Sequence, residues 1–430
     1  MNPVLSGKNP SNSTQPLYWE RDDCRVCGSK NLIPVLSLGD SYVSDFITDE
    51  TPDEQLTKAP MEMVLCSPAA GGCGLLQLRH TVPPERLYRQ YWYQSGVNQT
   101  MRSALADITA SAERMVPVAG GDIVIDIGCN DGTLLRSYQN AALVRVGFEP
   151  ARNLVEKAQA GTTTILNDFF NSGAFQKAYP GRKAKVVTSI AMFYDLEDPN
   201  GFVAGILEIL DRDGVWVVQQ NYLPVMLEQN VFDNIMHEHL EYYSLGSFQH
   251  LMARHRLEVF DVELNDVNGG SFRTYIAHAG SRPIHARVRE LEKKETNLKD
   301  PATYRAFAQR VERLKEQVSG FIRQEVATGK KVYAYTASNR GNTLLQYFGL
   351  DRSLIQAAAE RNPIKYGKRT VGTNIPIISE EQARKDRPDY FLVLAWAFLP
   401  EFLQREKTYL EAGGKFIVPL PELRILGPSA

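Results

Sequence analysis

The sequence predicts an α/β protein: a doubly wound parallel sheet at the centre, a small cysteine-bound domain before it, and a second α/β unit after it. Three observations carry this. Apolar runs at Ile123–Ile127, Val144–Phe148, Val186–Ile190 and Val215–Val218 are separated by helix-length segments, the signature of parallel strands joined by crossovers. Four of the five cysteines fall in the first 73 residues, as two pairs. A fresh strand–turn–helix pattern begins at Lys331.

A chain of 430 residues has room for two or three domains. With 43% hydrophobic and 23% charged residues and a net charge of −2, it reads as globular. It offers no basic surface for nucleic acid. No apolar run approaches the ~18 residues of a membrane span. The opening MNPVLSGKNPSNSTQPLYWE is polar and lacks an apolar h-region, so it reads as a mobile tail rather than a secretory signal. A cytoplasmic location, where thiols stay reduced, is expected.

Cys24-Arg-Val-Cys27 is a C-x2-C knuckle followed by Gly28, and Cys66 and Cys73 flank a small Gly-rich loop. Two such turns facing each other let four sulfurs converge on one Zn²⁺ at ~2.3 Å. Free core thiols and disulfides are the bland alternatives; a reducing compartment disfavours the second. With all four positions filled, the zinc is expected to be structural, holding a domain too short to bury much core.

The elements follow in order. Short strands and turns occupy about 20–80. An aromatic stretch, Tyr88-Arg-Gln-Tyr91-Trp92-Tyr93-Gln94-Ser95, precedes a helical pattern. Beyond the central strands come a helix near 247–255 and strands near 257–264 and 271–278, joined through Asn268-Gly269-Gly270 as an antiparallel pair at a sheet edge. Residues 285–328 are charged and helical, with Leu291, Leu298, Phe307, Val311, Leu314, Val318 and Phe321 on roughly one face. In the last unit, 332–336 is a strand, 337–341 a turn and 342–348 a helix, and Tyr390–Ala395 and Lys415–Val418 are buried strands. The expected domains are 1–84 (tail and zinc-binding domain), 85–285 (central unit) and 286–430 (helical bridge and C-terminal α/β unit).

Ile125-Asp126-Ile127-Gly128-Cys129-Asn130-Asp131-Gly132 follows an apolar strand and precedes a helix. Its glycines permit a tight turn and close ligand approach. The next strand ends at Glu149, where a carboxylate can accept both hydrogens of a ribose diol. Asp168 ends the third strand signal and can face an adenine amino group. The spacing is D-x-G-x-x-x-G rather than the G-x-G-x-x-G of a dinucleotide site, and it resembles motif I of class I S-adenosylmethionine (SAM) methyltransferases. Asp126, Gly128, Asn130, Gly132, Glu149 and Asp168 are therefore the expected SAM-binding residues. Cys129 reads as packing.

Beyond that turn, Asn234-Ile-Met-His237-Glu238-His239-Leu-Glu-Tyr242-Tyr243 gathers several proton-moving groups into ten residues. The four-Cys N-terminus, the DIGCNDG core, the H-E-H cluster and a C-terminal unit containing GNTLL and GGKFIVPLPE together resemble the sugar C-methyltransferases of deoxysugar biosynthesis. The resemblance spans nearly the whole chain. It implies a class I methyltransferase core between a zinc-binding domain and a second Rossmann-like domain. It implies deprotonation of a 4-keto-6-deoxy nucleotide sugar and methylation of the resulting enolate by SAM. It makes His239 the base and Glu238 a sugar-binding or orienting group, and gives the zinc to the four cysteines. Gly341-Asn342 and Lys365-Tyr366-Gly367-Lys368 would help place the nucleotide diphosphate. Two positions depart from the family: Met236 stands where it keeps a Tyr near the sugar carbonyl, and Phe193 where it carries a His.

Carbon is a poor nucleophile, so C-methylation needs an enolate, a base within ~3 Å of the C–H, and a donor for the enolate oxygen. A neutral His suits the first role near pH 7. Tyr242, Tyr243, Tyr93 and His237 are candidates for the second. Bland readings stand beside these. His237 and His239 share a face in extended backbone and could bind a metal or be satisfied polar groups. Tyr242 and Tyr243 could be core. The Tyr91–Tyr93 run could be a packing wall or lid, with Tyr93 touching substrate. Arg340 and Lys365 could be solvated cations, and Asn342 a helix cap rather than a phosphate contact. O- or N-methylation of a small metabolite, and a non-catalytic SAM-binding scaffold, are the competing functions. The partner expected is a nucleotide-sugar, with neither nucleic acid nor membrane; oligomeric state is left open, a monomer being compatible.

Overall fold

The computed structural model describes residues 16–52 and 56–428; the tail expected at the N-terminus lies mostly outside them. Strands β1 (Leu32–Tyr42), β2 (Lys58–Cys66) and β3 (Leu76–Leu78) form an antiparallel sheet completed by the two-residue strand Glu241–Tyr242. The edge strand thus comes from the segment after the H-E-H cluster. Its register sets Glu241 opposite Gln77 and Tyr242 opposite Leu76.

The central sheet has seven strands: β4 (Ile123–Ile127), β5 (Val144–Phe148), β6 (Thr164–Leu166), β7 (Ala184–Ile190), β8 (Leu210–Asn221), β9 (Leu257–Asn265) and β10 (Ser271–His278). They lie in the order β9-β10-β8-β7-β4-β5-β6, with β10 antiparallel to both neighbours. β4 and β7 are buried almost throughout, and β5 and β8 over 146–148 and 214–220, which is why they read as apolar runs. The strand order reverses between β4 and β7, the crevice where open α/β sheets bind ligands. Helix α1 (Gln99–Met115) starts on an Asn98 side-chain cap accepting from Thr100 N at 2.8 Å.

Helix α2 (Pro301–Ala327) is the bridge, capped by Asp300 with a proline at its first position. Phe307, Val311, Leu314 and Val318 are buried as expected, with Ile322 rather than Phe321 completing the face. The C-terminal sheet comprises β11 (Val332–Tyr335), β12 (Ala358–Glu360), β13 (Ile377–Ser379), β14 (Tyr390–Val393), β15 (Lys415–Val418) and β16 (Arg424–Leu426), ordered β13-β12-β11-β14-β15-β16. Five strands are parallel and β16 is antiparallel. Helix α3 (Asn339–Phe348) begins three positions before the expected start, because the Ser338 hydroxyl caps it by accepting from Gly341 N at 3.0 Å. Arg369–Thr370 pair with Phe46–Ile47, stitching this unit to the first. Among the described residues no helix is long and apolar enough to cross a membrane.

Candidate active site

A cavity of about 460 Å³ lies between the ends of β4, β5 and β7 and the start of α3. One end is the turn after β4; the other is closed by the H-E-H segment and the start of α3.

At the first end, Gly128 has φ 71° and Gly132 φ 78°. Asp126, Gly128, Asn130, Glu149 and Asp168 line the cavity. Gly132 does not; a Cβ there would meet the Ala158 carbonyl oxygen at 2.8 Å, so it permits close helix packing instead. Glu149 accepts from Asn130 N at 2.7 Å and Ala151 N at 2.8 Å. Burial nevertheless raises its pKa to about 7. Asp126 accepts from the Thr188 hydroxyl at 2.6 Å and is likewise raised to about 7, chiefly by burial. Both acids keep free lone pairs toward the cavity, a donor-hungry cradle that fits a ribose diol. Asp168 sits at the lip, paired with Arg89 at 3.3 Å.

The Asn130 side chain accepts from Ser95 N at 3.0 Å and donates to Tyr93 O at 3.1 Å. Gly96 N donates to Asp131 at 2.7 Å. The aromatic stretch is thereby strapped over the cofactor turn, with Tyr91, Trp92 and Tyr93 all lining the cavity.

At the other end, the H-E-H segment is clamped on every side. His239 N donates to Met236 O, Leu240 N to Tyr194 O, and Leu78 N to Leu240 O. The Met236–His239 turn breaks the alternation expected of extended backbone, so the two histidines do not share a face. His237 turns to the first sheet, Nε2 against Ala59 O at 2.9 Å, and does not line the cavity. Glu238 faces α3, accepting from Asn339 Nδ2 at 3.0 Å, and burial raises its carboxyl to about 8. His239 lines the cavity with Nδ1 2.8 Å from Asn234 O. A carbonyl only accepts, so Nδ1 carries the proton and Nε2 keeps a bare lone pair. Burial first, with the nearby Arg340 charge, drives His239 down to about 3, so it is neutral at pH 7.

Three other expected residues sit outside the cavity. The Tyr242 hydroxyl donates to Asn234 O at 3.4 Å. Tyr243 is core, packed on Phe193 and Phe248. Asn342 donates to Asp45 O at 3.2 Å from inside α3. Phe193 is also fully buried in that aromatic core and does not line the cavity. The next residues do: the Tyr194 ring packs edge-on against His239 at 4.4 Å, and Asp195 lines the cavity with one oxygen unpartnered. Burial raises Asp195 well above the carboxylate range. Lys365 does line the cavity, its ammonium on Ala337 O at 2.6 Å and over the Phe46 ring at 4.5 Å. Arg340 is no solvated cation; it is forked onto Asp233. Asp233, Tyr194, Asp195 and Trp396 lay outside the sequence reading, because no local motif marks them.

The four cysteines converge as expected. Their sulfurs lie within 4.8 Å of one another, with Cys24–Cys73 and Cys27–Cys66 at 3.5 Å. A Zn²⁺ tetrahedron with ~2.3 Å bonds needs sulfurs ~3.8 Å apart, so the set fits zinc. Hydrogen bonds from Cys24 and Cys73 already hold the Cys66 thiol far below its usual range.

Comparison with known proteins agrees. A zinc binding domain model matches residues 24–88, a methyltransferase domain model residues 94–262, and a C-methyltransferase C-terminal domain model residues 266–421. The C-methyltransferase NovU of Streptomyces niveus is 34% identical over 414 residues, 95% of this chain and 98% of that protein. The chain belongs to the C-methyltransferase family. It is a SAM-dependent methyltransferase with a structural zinc site. Among solved structures, magnesium protoporphyrin IX methyltransferase of Synechocystis PCC 6803 with bound SAM aligns over 42% of this chain and 79% of its own, at 12% identity and TM-score 0.30. A SAM-dependent methyltransferase of Clostridium acetobutylicum aligns over 42% and 92%, at 10% identity and TM-score 0.33. Neither likeness bears on substrate.

Proposed function

We propose that this C-methyltransferase acts on a keto sugar carried by a nucleoside diphosphate, with His239 as the base that forms the enolate. The carrying observation is the placement of His239: it lines the cavity shared with the cofactor turn, and its Nδ1 lies 2.8 Å from Asn234 O, which leaves Nε2 as the nitrogen able to accept a proton. Bound SAM supplies an electrophilic methyl carbon. Nε2 takes the proton from the carbon beside the ketone, and the C–H electron pair moves into the carbonyl, leaving charge on its oxygen. Burial makes the imidazolium unstable, so the proton is surrendered readily once transfer is complete. Glu238, held neutral by burial, is a donor or acceptor for a sugar hydroxyl. Lys365, Phe46, Trp92 and Trp396 offer a cation and aromatic faces near the start of α3, suited to a diphosphate and a base. Tyr93, which lines the cavity beside the cofactor turn, would touch the methyl donor.

The test is a panel of nucleotide-linked 4-keto sugars incubated with SAM, with products read by mass spectrometry and NMR, and solvent exchange in D2O followed alongside. One keto sugar is expected to gain a carbon-bound methyl and to exchange the adjacent C–H. His239→Gln should slow both by ~10²–10⁴-fold while leaving SAM affinity intact. An oxygen- or nitrogen-bound methyl, or no exchange with any keto sugar, would rule the reading out.

A further inference from the structure

Forming an enolate leaves a negative oxygen that needs a donor (a requirement resting on the keto-sugar reading above). Met236 lines the cavity and cannot donate. Three donors expected from sequence sit outside the cavity: His237 on Ala59 O, Tyr242 on Asn234 O, and Tyr243 in the aromatic core. Tyr93 is tethered through its backbone to Asn130 at the cofactor turn. Tyr194 is a neutral hydroxyl packed on the base itself.

Arg340 remains. Its Nε donates to Asp233 Oδ2 at 3.1 Å, Nη2 to Asp233 Oδ1 at 2.9 Å, and Nη1 to Asn268 O at 2.8 Å. A guanidinium carries five N–H groups, so one on each terminal nitrogen is free. Asp233 is itself pinned by Trp396 Nε1 at 3.2 Å and is 1% exposed. Base and cation are therefore held by consecutive residues: His239 by the Asn234 carbonyl, Arg340 by the Asp233 carboxylate. Both line the same cavity, and the Arg340 charge is felt at the His239 ring. Arg340 comes from α3, so the C-terminal unit would complete the reacting centre rather than merely anchor the substrate.

We infer that Arg340 is a catalytic residue, its free terminal N–H groups donating to the ketone oxygen as that oxygen gains the electron pair released at the neighbouring carbon. A preorganised cation in a dry site stabilises that charge without reorganising.

The experiment measures D2O exchange into a keto-sugar nucleotide at saturating sugar, in the full-length enzyme. Arg340→Met leaves Asp233 buried and unpaired, so the Asp233→Asn/Arg340→Met pair is made beside it, with Arg340→Lys and Tyr194→Phe. The exchange rate constant at saturation is expected to fall ~10²–10³-fold in both Met variants and less in Arg340→Lys. SAM affinity should stay within a few-fold, and the Tyr194→Phe loss should be smaller than that of the Met variants. Met variants that exchange at the wild-type rate once sugar is raised would make Arg340 a diphosphate anchor and overturn the inference. So would a Tyr194→Phe loss larger than theirs. If the Met variants do not fold, a wild-type rate in folded Arg340→Lys overturns it, and a reduced rate at unchanged melting temperature supports it. Wild-type enzyme that exchanges no keto sugar would instead bring down the enolate reading, and this inference with it.

Discussion

Asp126 and Glu149 sit where burial opposes their charge, and a pKa near 7 in both is the direct result. A ribose diol of SAM donating to Glu149 would favour its carboxylate, so that binding would pull the pKa down and expel a proton. Affinity should therefore rise as pH increases through about 7, by at most about tenfold per pH unit for one group. Without cofactor, the same raised pKa values give stability that is full below the ordinary carboxylate range and lost as pH rises through about 7. Titration calorimetry in two buffers of different ionisation heat checks this; pH-independent affinity with no proton release would refute it. The Glu149 position was legible because a strand end after a glycine turn is a fixed geometric address. The division of labour between His237 and His239 was not. It depends on one backbone turn, His239 N to Met236 O, which sends one ring to Ala59 and the other into the cavity.

At the level of elements, the zinc knuckles do more than close a loop. Arg25, inside the first knuckle, donates to Leu78 O and the Thr81 hydroxyl and pairs with Glu197 at 3.3 Å. Glu197 lines the cavity. Loss of the metal should therefore loosen both the first sheet and the cavity wall beside Leu196–Glu197. Chelation, or Cys66→Ser, is expected to lower the melting temperature by on the order of 10 °C and to reduce methyl transfer. Differential scanning fluorimetry with zinc content measured in parallel decides it: metal-free protein melting like the native form would contradict the role. Both knuckles were legible because thiolate geometry demands a narrow spacing. β12 and β13 were not, since three-residue strands such as Ala358–Glu360 carry too little pattern to separate from loop.

At the scale of the molecule, the first sheet and the C-terminal unit share a core. Leu38, Met63 and Leu76 of the first sheet pack in one continuous cluster with Leu223, Phe232, Val311 and Val318, and with Val332, Leu344 and Ile417 of the C-terminal unit. The H-E-H segment runs through this junction, tied to the first sheet by Leu240 and to α3 by Glu238. Such long-range pairings, Asp233 with Arg340 across 107 positions and His237 with Ala59 across 178, leave no periodic trace in a sequence, which is why the fold could be read there and half the site could not. The shared core has a consequence for dissection. A chain ended at residue 285 would keep the whole central sheet yet strip apolar cover from β2, β3 and the Phe232 turn, a contiguous patch far larger than soluble monomers tolerate. Such a fragment should bind a hydrophobic dye, aggregate and melt without cooperativity, even with SAM present. A monodisperse fragment with a sharp SAM-shifted transition would show instead that the central unit folds alone, and that the C-terminal unit meets it only at the active site.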